Sequence, residues 1–256
     1  MRARLGQNFL FDPSILRRIA DASGAGPEDT VVEIGPGPGS LTRVLLERAG
    51  KVVAIEVDQR LYQKLREELP SSRLTLVLGD CLKFPYHELG EFRVVANIPY
   101  HITTPIIFRL LGEKGLKSMT LTIQKEVAMR IAAAPGSKNY GVLSLAVQYR
   151  AAPKIAFTIP KGAFRPVPKV DSACIHMEIY KEPKVRVADE GLLFGIIRGA
   201  FAQRRKKIEN GIKGFCPEPR EALVRAGIDP GKRPETLSLE DFARLADEVF
   251  KTKADI

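Results

Sequence analysis

The stretch "TVVEIGPGPGSLTRVLLERAG", residues 30–50, decides how the rest of the chain is read. It opens as an apolar strand over 30–35, crosses glycines at 35, 37 and 39, and passes into a helical pattern over 40–50. The same alternation continues outward. "KVVAIEVD" (51–58), "LTLVLGD" (74–80), "RVVANIP" (93–99) and "SMTLTIQ" (118–124) read as strands, and "QRLYQKLREEL" (59–69) reads as a helix. Upstream, "DPSILRRIADA" (12–22) starts with an Asp suited to capping and a Pro suited to the first helical turn, and Ile15, Leu16 and Ile19 share one face. Nearly continuous apolar strands alternating with helices predict an α/β fold, a Rossmann-like parallel sheet covered on both faces.

Residues 139–150 turn helical again, and segments near 155–159 and 172–180 are expected to close the sheet as a strand pair. After Tyr180 the polar "KEPKVRVADEG" breaks the pattern, and helical stretches follow at roughly 189–210, 217–227 and 238–251. Two domains are therefore expected, a sheet domain over 1–181 and a small α-helical domain over 182–256.

The 256 residues carry 40 Lys and Arg against 30 Asp and Glu, a net charge of +10, which suits a polyanionic partner without specifying a fold. No apolar run approaches the roughly 18 residues that a membrane span needs, and the N-terminus lacks an apolar signal segment. A cytoplasmic protein without membrane contact is expected. Cys81, Cys174 and Cys216 are too scattered for a disulfide framework, and with His87, His101 and His176 they form no metal-ligand spacing, so no metal is expected.

The glycine loop lets a ligand approach the backbone beside a helix N-terminus. A dinucleotide fingerprint would place its third glycine where Ser40 stands, and Pro36 and Pro38 remove two N–H donors that a pyrophosphate would use. The loop therefore suits an uncharged or zwitterionic ligand such as S-adenosylmethionine better than a nicotinamide dinucleotide. Glu56, 17 residues after Gly39, ends the second strand and can accept from both ribose hydroxyls; Asp80 ends the third and can accept from an adenine amino group.

The fourth strand ends in "NIPY", residues 97–100. An exocyclic amine on adenine is a poor nucleophile, because its lone pair is delocalised into the ring. Two acceptors on its N–H groups draw the nitrogen toward tetrahedral geometry and stabilise the developing charge. The Asn97 side chain and the backbone carbonyl in the Pro99 region supply them, and Tyr100 offers a ring on which a base can stack, worth roughly 1–3 kcal/mol. A carbon-5 cytosine methyltransferase would need a cysteine at this tip, and none is there.

With these motifs in order, the chain resembles the KsgA-type small-subunit rRNA adenine dimethyltransferases over almost its whole length. "GQNFL" (6–10), "EIGPGPGSLT" (33–42), "IEVD" (55–58), "GDCLKF" (79–84), "NIPYHI" (97–102), "QKEVAMRI" (124–131), "FRPVPKVDSA" (164–173) and "FAQRRKKIENGIK" (201–213) carry the resemblance. It implies a class I methyltransferase sheet and S-adenosylmethionine contacts from Asn8, Leu10, Gly35, Gly37, Glu56, Asp80 and Asn97. It implies that Asn97 and Pro99 hold the target amine and that Tyr100 and Phe164 contact the adenine. The implied reaction puts methyl groups on the N6 amines of two adjacent adenosines near the 3′ end of small-subunit rRNA, within an assembling 30S particle. A monomer is expected.

The Pro-broken loop "KGAFRPVPK" presents Phe164 with Arg165 and Lys169, and a flipped adenine could stack there. The segment around 198–213 sets Arg198, Arg204, Arg205, Lys206, Lys207 and Lys213 against one acid, Glu209, and reads as a phosphate-binding patch. "KKIENGIK" departs from the Thr and additional Asn expected there in many relatives. Two rivals are weighed: an Erm-type large-subunit rRNA adenine dimethyltransferase, and a non-catalytic assembly factor.

Overall fold

The computed structural model describes residues 8–254. In chain order the elements are β1 (Phe9–Leu10), α1 (Pro13–Ser23), β2 (Thr30–Ile34), α2 (Ser40–Leu46), β3 (Lys51–Glu56), α3 (Gln59–Glu68), β4 (Leu74–Leu78), β5 (Phe92–Asn97) and α4 (Thr103–Leu111). Then follow β6 (Leu116–Gln124), α5 (Lys125–Ile131), α6 (Val142–Arg150), β7 (Ala151–Ile159), β8 (Phe164–Arg165), β9 (Ser172–Ile179), α7 (Glu190–Ala202), α8 (Ile208–Gly211), α9 (Pro219–Arg225) and α10 (Leu239–Ala254). No helix among the described residues is long and apolar enough to cross a membrane.

The chain divides into two compact units, one holding the described residues up to Ala128 with Ala152–Ile179, the other Met129–Ala151 with the residues from Tyr180 onward. The division expected at 181 lies beside the last crossing, but Met129–Ala151 joins the C-terminal helices. The physical reason is burial: Tyr140, Leu145 and Tyr149 enter the same apolar cluster as Leu193 and Ile197 of α7 and Phe242 of α10.

In the first unit a seven-stranded sheet runs in the order β4-β3-β2-β5-β6-β9-β7. The pairs from β4 through β6 are parallel, while β9 lies antiparallel to β6, so the sheet is mixed rather than wholly parallel. The expected closing pair is present and forms that edge. Strand order reverses between β2 and β5, and the crevice outside the carboxyl ends at such a switch point is where α/β sheets bind ligands. Parallel register places Ile34 opposite Ile55, so Gly35, Glu56 and Asn97 emerge at one end of the sheet.

Both faces are covered, which is why the strands read as unbroken apolar runs. Val31, Val52 and Val95 pack with Leu16 and Ile19 of α1 and Leu45 of α2. Their neighbours Val32, Val53 and Val94 are equally buried, as are Ile106, Ile107 and Leu110 of α4. Asp12 caps α1 as expected, taking the Ser14 N–H at 2.8 Å, and Gly24 closes it with φ 61°; such an N-cap is worth about 1 kcal/mol.

In the second unit the helix expected over 189–210 stops at Ala202 and resumes only at α8. In a continuous helix Arg204 and Lys207 would face each other at i,i+3, a like-charge pair that is mildly unfavourable. The break also lets Gly199 approach Gly211 and Phe215: a Cβ on Gly199 would lie 2.6 Å from the Phe215 ring.

Candidate active site

Three glycines shape the loop after β2, with φ of 66° at Gly35, 57° at Gly37 and 82° at Gly39, a backbone region that side chains rarely adopt. The Gly35 N–H donates to the Ile55 carbonyl at 2.9 Å and extends the β2–β3 ladder to the tip. The Gly37 N–H donates to Glu56 Oε2 at 3.1 Å, and the Asp58 N–H donates to Oε1 at 2.9 Å. Glu56 is fully buried. Burial raises its carboxyl above the usual range, and backbone donors at Asp58, Gly37 and Val57 pull it back toward the charged form. Each oxygen keeps a lone pair for a ligand.

Glu56 lines a cavity of about 270 Å³ together with Ile34, Gly35, Asp80, Pro99 and Ile102. Asp80 is exposed there, with Oδ1 taking the Leu82 N–H at 2.9 Å. The donor set suits a nucleoside: a buried carboxylate for vicinal hydroxyls, a second carboxylate at the mouth and apolar side chains between. In the adjoining glycine loop Pro36 and Pro38 lack the N–H groups that a phosphate would use. S-adenosylmethionine, a nucleoside without phosphate, fits this arrangement.

A second cavity, about 20 Å³, is lined by Asn8, Phe9, Gly35, Asn97, Pro99 and Tyr100. Gly35 and Pro99 belong to both cavities, which therefore meet at the tip of β5. Asn97 Nδ2 donates to the Asn8 carbonyl at 2.9 Å. Turning the amide over would set two oxygens against each other, so the Asn8 carbonyl holds Asn97 with Oδ1 as its available acceptor.

The Ile98 N–H is anchored on the Thr122 carbonyl at 3.1 Å. The Pro99 carbonyl already accepts the Ile102 N–H at 3.1 Å, whereas the Ile98 carbonyl accepts no bond among the described residues. In the Pro99 region the Ile98 carbonyl is thus the acceptor with both lone pairs open. The Tyr100 hydroxyl meets Ser172 Oγ at 2.8 Å; burial raises the phenol, the Ser172 bond opposes that rise, and the group stays neutral.

The N-terminal strand β1 pairs antiparallel with β8, Phe9 opposite Arg165 and Leu10 opposite Phe164. This pairing corrects one expectation. Phe164 is 1% exposed and packs in the apolar cluster with Leu16, Ile19 and Ile159, so its ring belongs to the core rather than to a stacking surface. The Leu10 side chain is buried in the same cluster. Besides Tyr100, the small cavity is lined by a second aromatic, Phe9, which sequence reasoning missed: a Cβ on Gly37 would lie 2.6 Å from its ring. The only hint was its place in "GQNFL", whose Gly6 and Gln7 lie outside the described residues.

Among the basic residues, Arg165 and Lys169 are exposed in the first unit. In the second unit Arg198, Arg205, Lys206 and Lys207 are exposed. Arg204 is a correction: its Nε pairs with Glu235 at 2.7 Å and its Nη2 donates to the Lys138 carbonyl at 2.6 Å, so it holds structure together. All three cysteines are buried, and burial pushes the Cys81 thiol up to about 11 and the Cys174 thiol up to about 12, far from nucleophilic thiolates.

A switch-point cavity beside a glycine loop, with a ribose-type acid and an amide at the fourth-strand tip, defines a Rossmann-like, S-adenosylmethionine-dependent methyltransferase. The chain belongs to the ribosomal RNA adenine dimethylase family, whose model matches residues 1–251. It is 47% identical over 255 residues to a Clostridium botulinum protein named ribosomal RNA small subunit methyltransferase A, covering 96% of this chain and 93% of that one. Among solved structures it is similar to a dimethyladenosine transferase from Plasmodium falciparum, with a TM-score of 0.84, 27% identity, and coverage of 96% and 98%. It is also similar to the 23S rRNA methyltransferase ErmE, with a TM-score of 0.76, 29% identity, and coverage of 95% and 100%.

Proposed function

We propose that the chain transfers methyl groups from S-adenosylmethionine to the N6 amines of two adjacent adenosines near the 3′ end of small-subunit rRNA, giving dimethyladenosines. It acts as a cytoplasmic monomer on an assembling 30S particle. The observation that carries this reading is the amide of Asn97, held by the Asn8 carbonyl with Oδ1 available beside the wall shared by the two cavities.

Bound in the larger cavity, S-adenosylmethionine supplies an electrophilic sulfonium methyl group. Glu56 accepts from the ribose hydroxyls, Asp80 from the adenine amino group, and Gly35 lets the backbone come close. On the acceptor side, Asn97 Oδ1 and the Ile98 carbonyl take the two N–H groups of the target amine and draw its lone pair out of conjugation. Tyr100 gives the base a face to stack on. No general base acts before transfer, because the nitrogen sheds its proton readily once it is cationic. What these residues contribute is mainly alignment, which can supply on the order of 7–11 kcal/mol. Arg165 and Lys169 serve as phosphate contacts in the first unit; Arg198, Arg205, Lys206 and Lys207 do so in the second.

The test is methyl transfer to 30S particles from a strain lacking dimethylation, set against naked large-subunit rRNA and read by nucleoside mass spectrometry. Dimethyladenosine is expected in the small-subunit substrate. Product only in the large-subunit RNA would favour the activity named for ErmE, and no product in either would leave a binding factor without catalysis.

A further inference from the structure

We propose that Ser172 is a positioning residue for methyl transfer, acting through Tyr100. The inference rests on the functional reading above, in which the Tyr100 ring forms a wall of the acceptor pocket.

Ser172 opens β9 at the end of the sheet that carries the site, in register with Gln124 of β6. It is fully buried, and its hydroxyl bonds to the Tyr100 hydroxyl at 2.8 Å. A buried hydroxyl without a partner costs about 1–3 kcal/mol, so each group confines the other. Tyr100 itself sits in a short 3-10 turn, Tyr100–Ile102, straight after Pro99. A single turn leaves χ1 and χ2 of a half-buried ring loosely set, and the bond to a rigid strand sets them.

The residue before Ser172 extends the device. Asp171 Oδ1 takes the Lys161 N–H at 3.0 Å, and the Asp171 carbonyl takes the Lys125 N–H at 3.0 Å. Two adjacent residues thus tie down the segments that follow β5, β6 and β7. The Ser172 link is the one that reaches a pocket-lining side chain, and it fixes the plane against which an adenine stacks.

The experiment compares wild type, Ser172→Ala, Tyr100→Phe and the double variant in single-turnover methyl transfer to 30S particles, with cofactor affinity by calorimetry. Ser172→Ala is expected to slow transfer about three- to tenfold, the range for one neutral hydrogen bond, with cofactor affinity unchanged. Tyr100→Phe should match it, and the double variant should be no slower than either single one. Losses that add, or a Ser172→Ala enzyme as fast as wild type, would overturn the inference. The contact is read separately by fluorine NMR of protein labelled with 3-fluorotyrosine, with the Tyr100 signal assigned by Tyr100→Phe. That signal should shift in Ser172→Ala, and an unmoved signal overturns the inference whatever the substrate. Wild type that transfers no methyl group would count against the functional reading instead.

Discussion

Two residues at the site show how burial and backbone contacts set chemistry that composition alone does not reveal. Asn97 has one amide hydrogen bonded to the Asn8 carbonyl, which decides the amide's orientation. Asn97→Ala should lower the transfer rate by about 10²–10³, the usual cost of removing one donor or acceptor aimed at developing charge, while the fold stays intact by circular dichroism. A rate within about threefold of wild type would remove Asn97 from the mechanism. Glu33, in the neighbouring strand β2, is 2% exposed, and burial pushes its carboxyl up to about 8. A carboxyl raised in the folded state stabilises the protein fully below its unfolded value of about 4.3, and that contribution is lost as pH rises through the folded value. The melting temperature of cofactor-free protein should therefore fall between about pH 5 and 8 through this group, and Glu33→Gln should flatten the fall. Parallel curves for the two proteins would show that Glu33 does not carry it.

At the scale of elements, the strand tips were legible because each combines an apolar run with a polar end: Glu56, Asp80 and Asn97 all stand at the sheet end where chain alternation puts them. What was not legible depends on pairings distant in sequence. Phe164 reads as a loop aromatic until the two-residue β8 is seen to pair with β1, more than 150 residues earlier, and to bury the ring. The same pairing makes β1 a strap over the glycine loop, with the Phe9 ring where a Gly37 side chain would go. Gly37→Ala adds a Cβ against that ring and strains a residue at φ 57°, which also disturbs the N–H held by Glu56. Cofactor affinity should fall about tenfold by calorimetry, consistent with 1–2 kcal/mol of backbone strain. An unchanged affinity would separate this loop from cofactor binding. Arg204 was hidden for the same reason, since its partner Glu235 lies 31 residues away.

For the whole molecule, the net charge of +10 is a statement about partners, and its distribution decides which residues meet them. Arg205, Lys206 and Lys207 project from the break between α7 and α8, free of the internal pairing that holds Arg204. Changing those three to Gln should weaken RNA binding and reduce the slope of log affinity against log salt by about 0.7–0.9 for each phosphate no longer neutralised. Arg204→Ala should instead lower the melting temperature and leave the slope nearly unchanged. An unaltered slope in the triple variant would take the patch out of RNA binding. The division into two units was half legible: the change of composition after Tyr180 marks one crossing, while the transfer of Met129–Ala151 to the helical unit depends on where Tyr140 and Tyr149 find apolar partners.

The central claim is that two oxygens at the tip of β5 grip the amine that receives the methyl group. It is tested most directly by the structure of the protein on a 30S particle with a non-transferable cofactor analogue. The account predicts the N6 nitrogen of one extruded adenosine at about 3 Å from both Asn97 Oδ1 and the Ile98 carbonyl oxygen. An adenosine seated with that nitrogen beyond about 5 Å from both oxygens would contradict it.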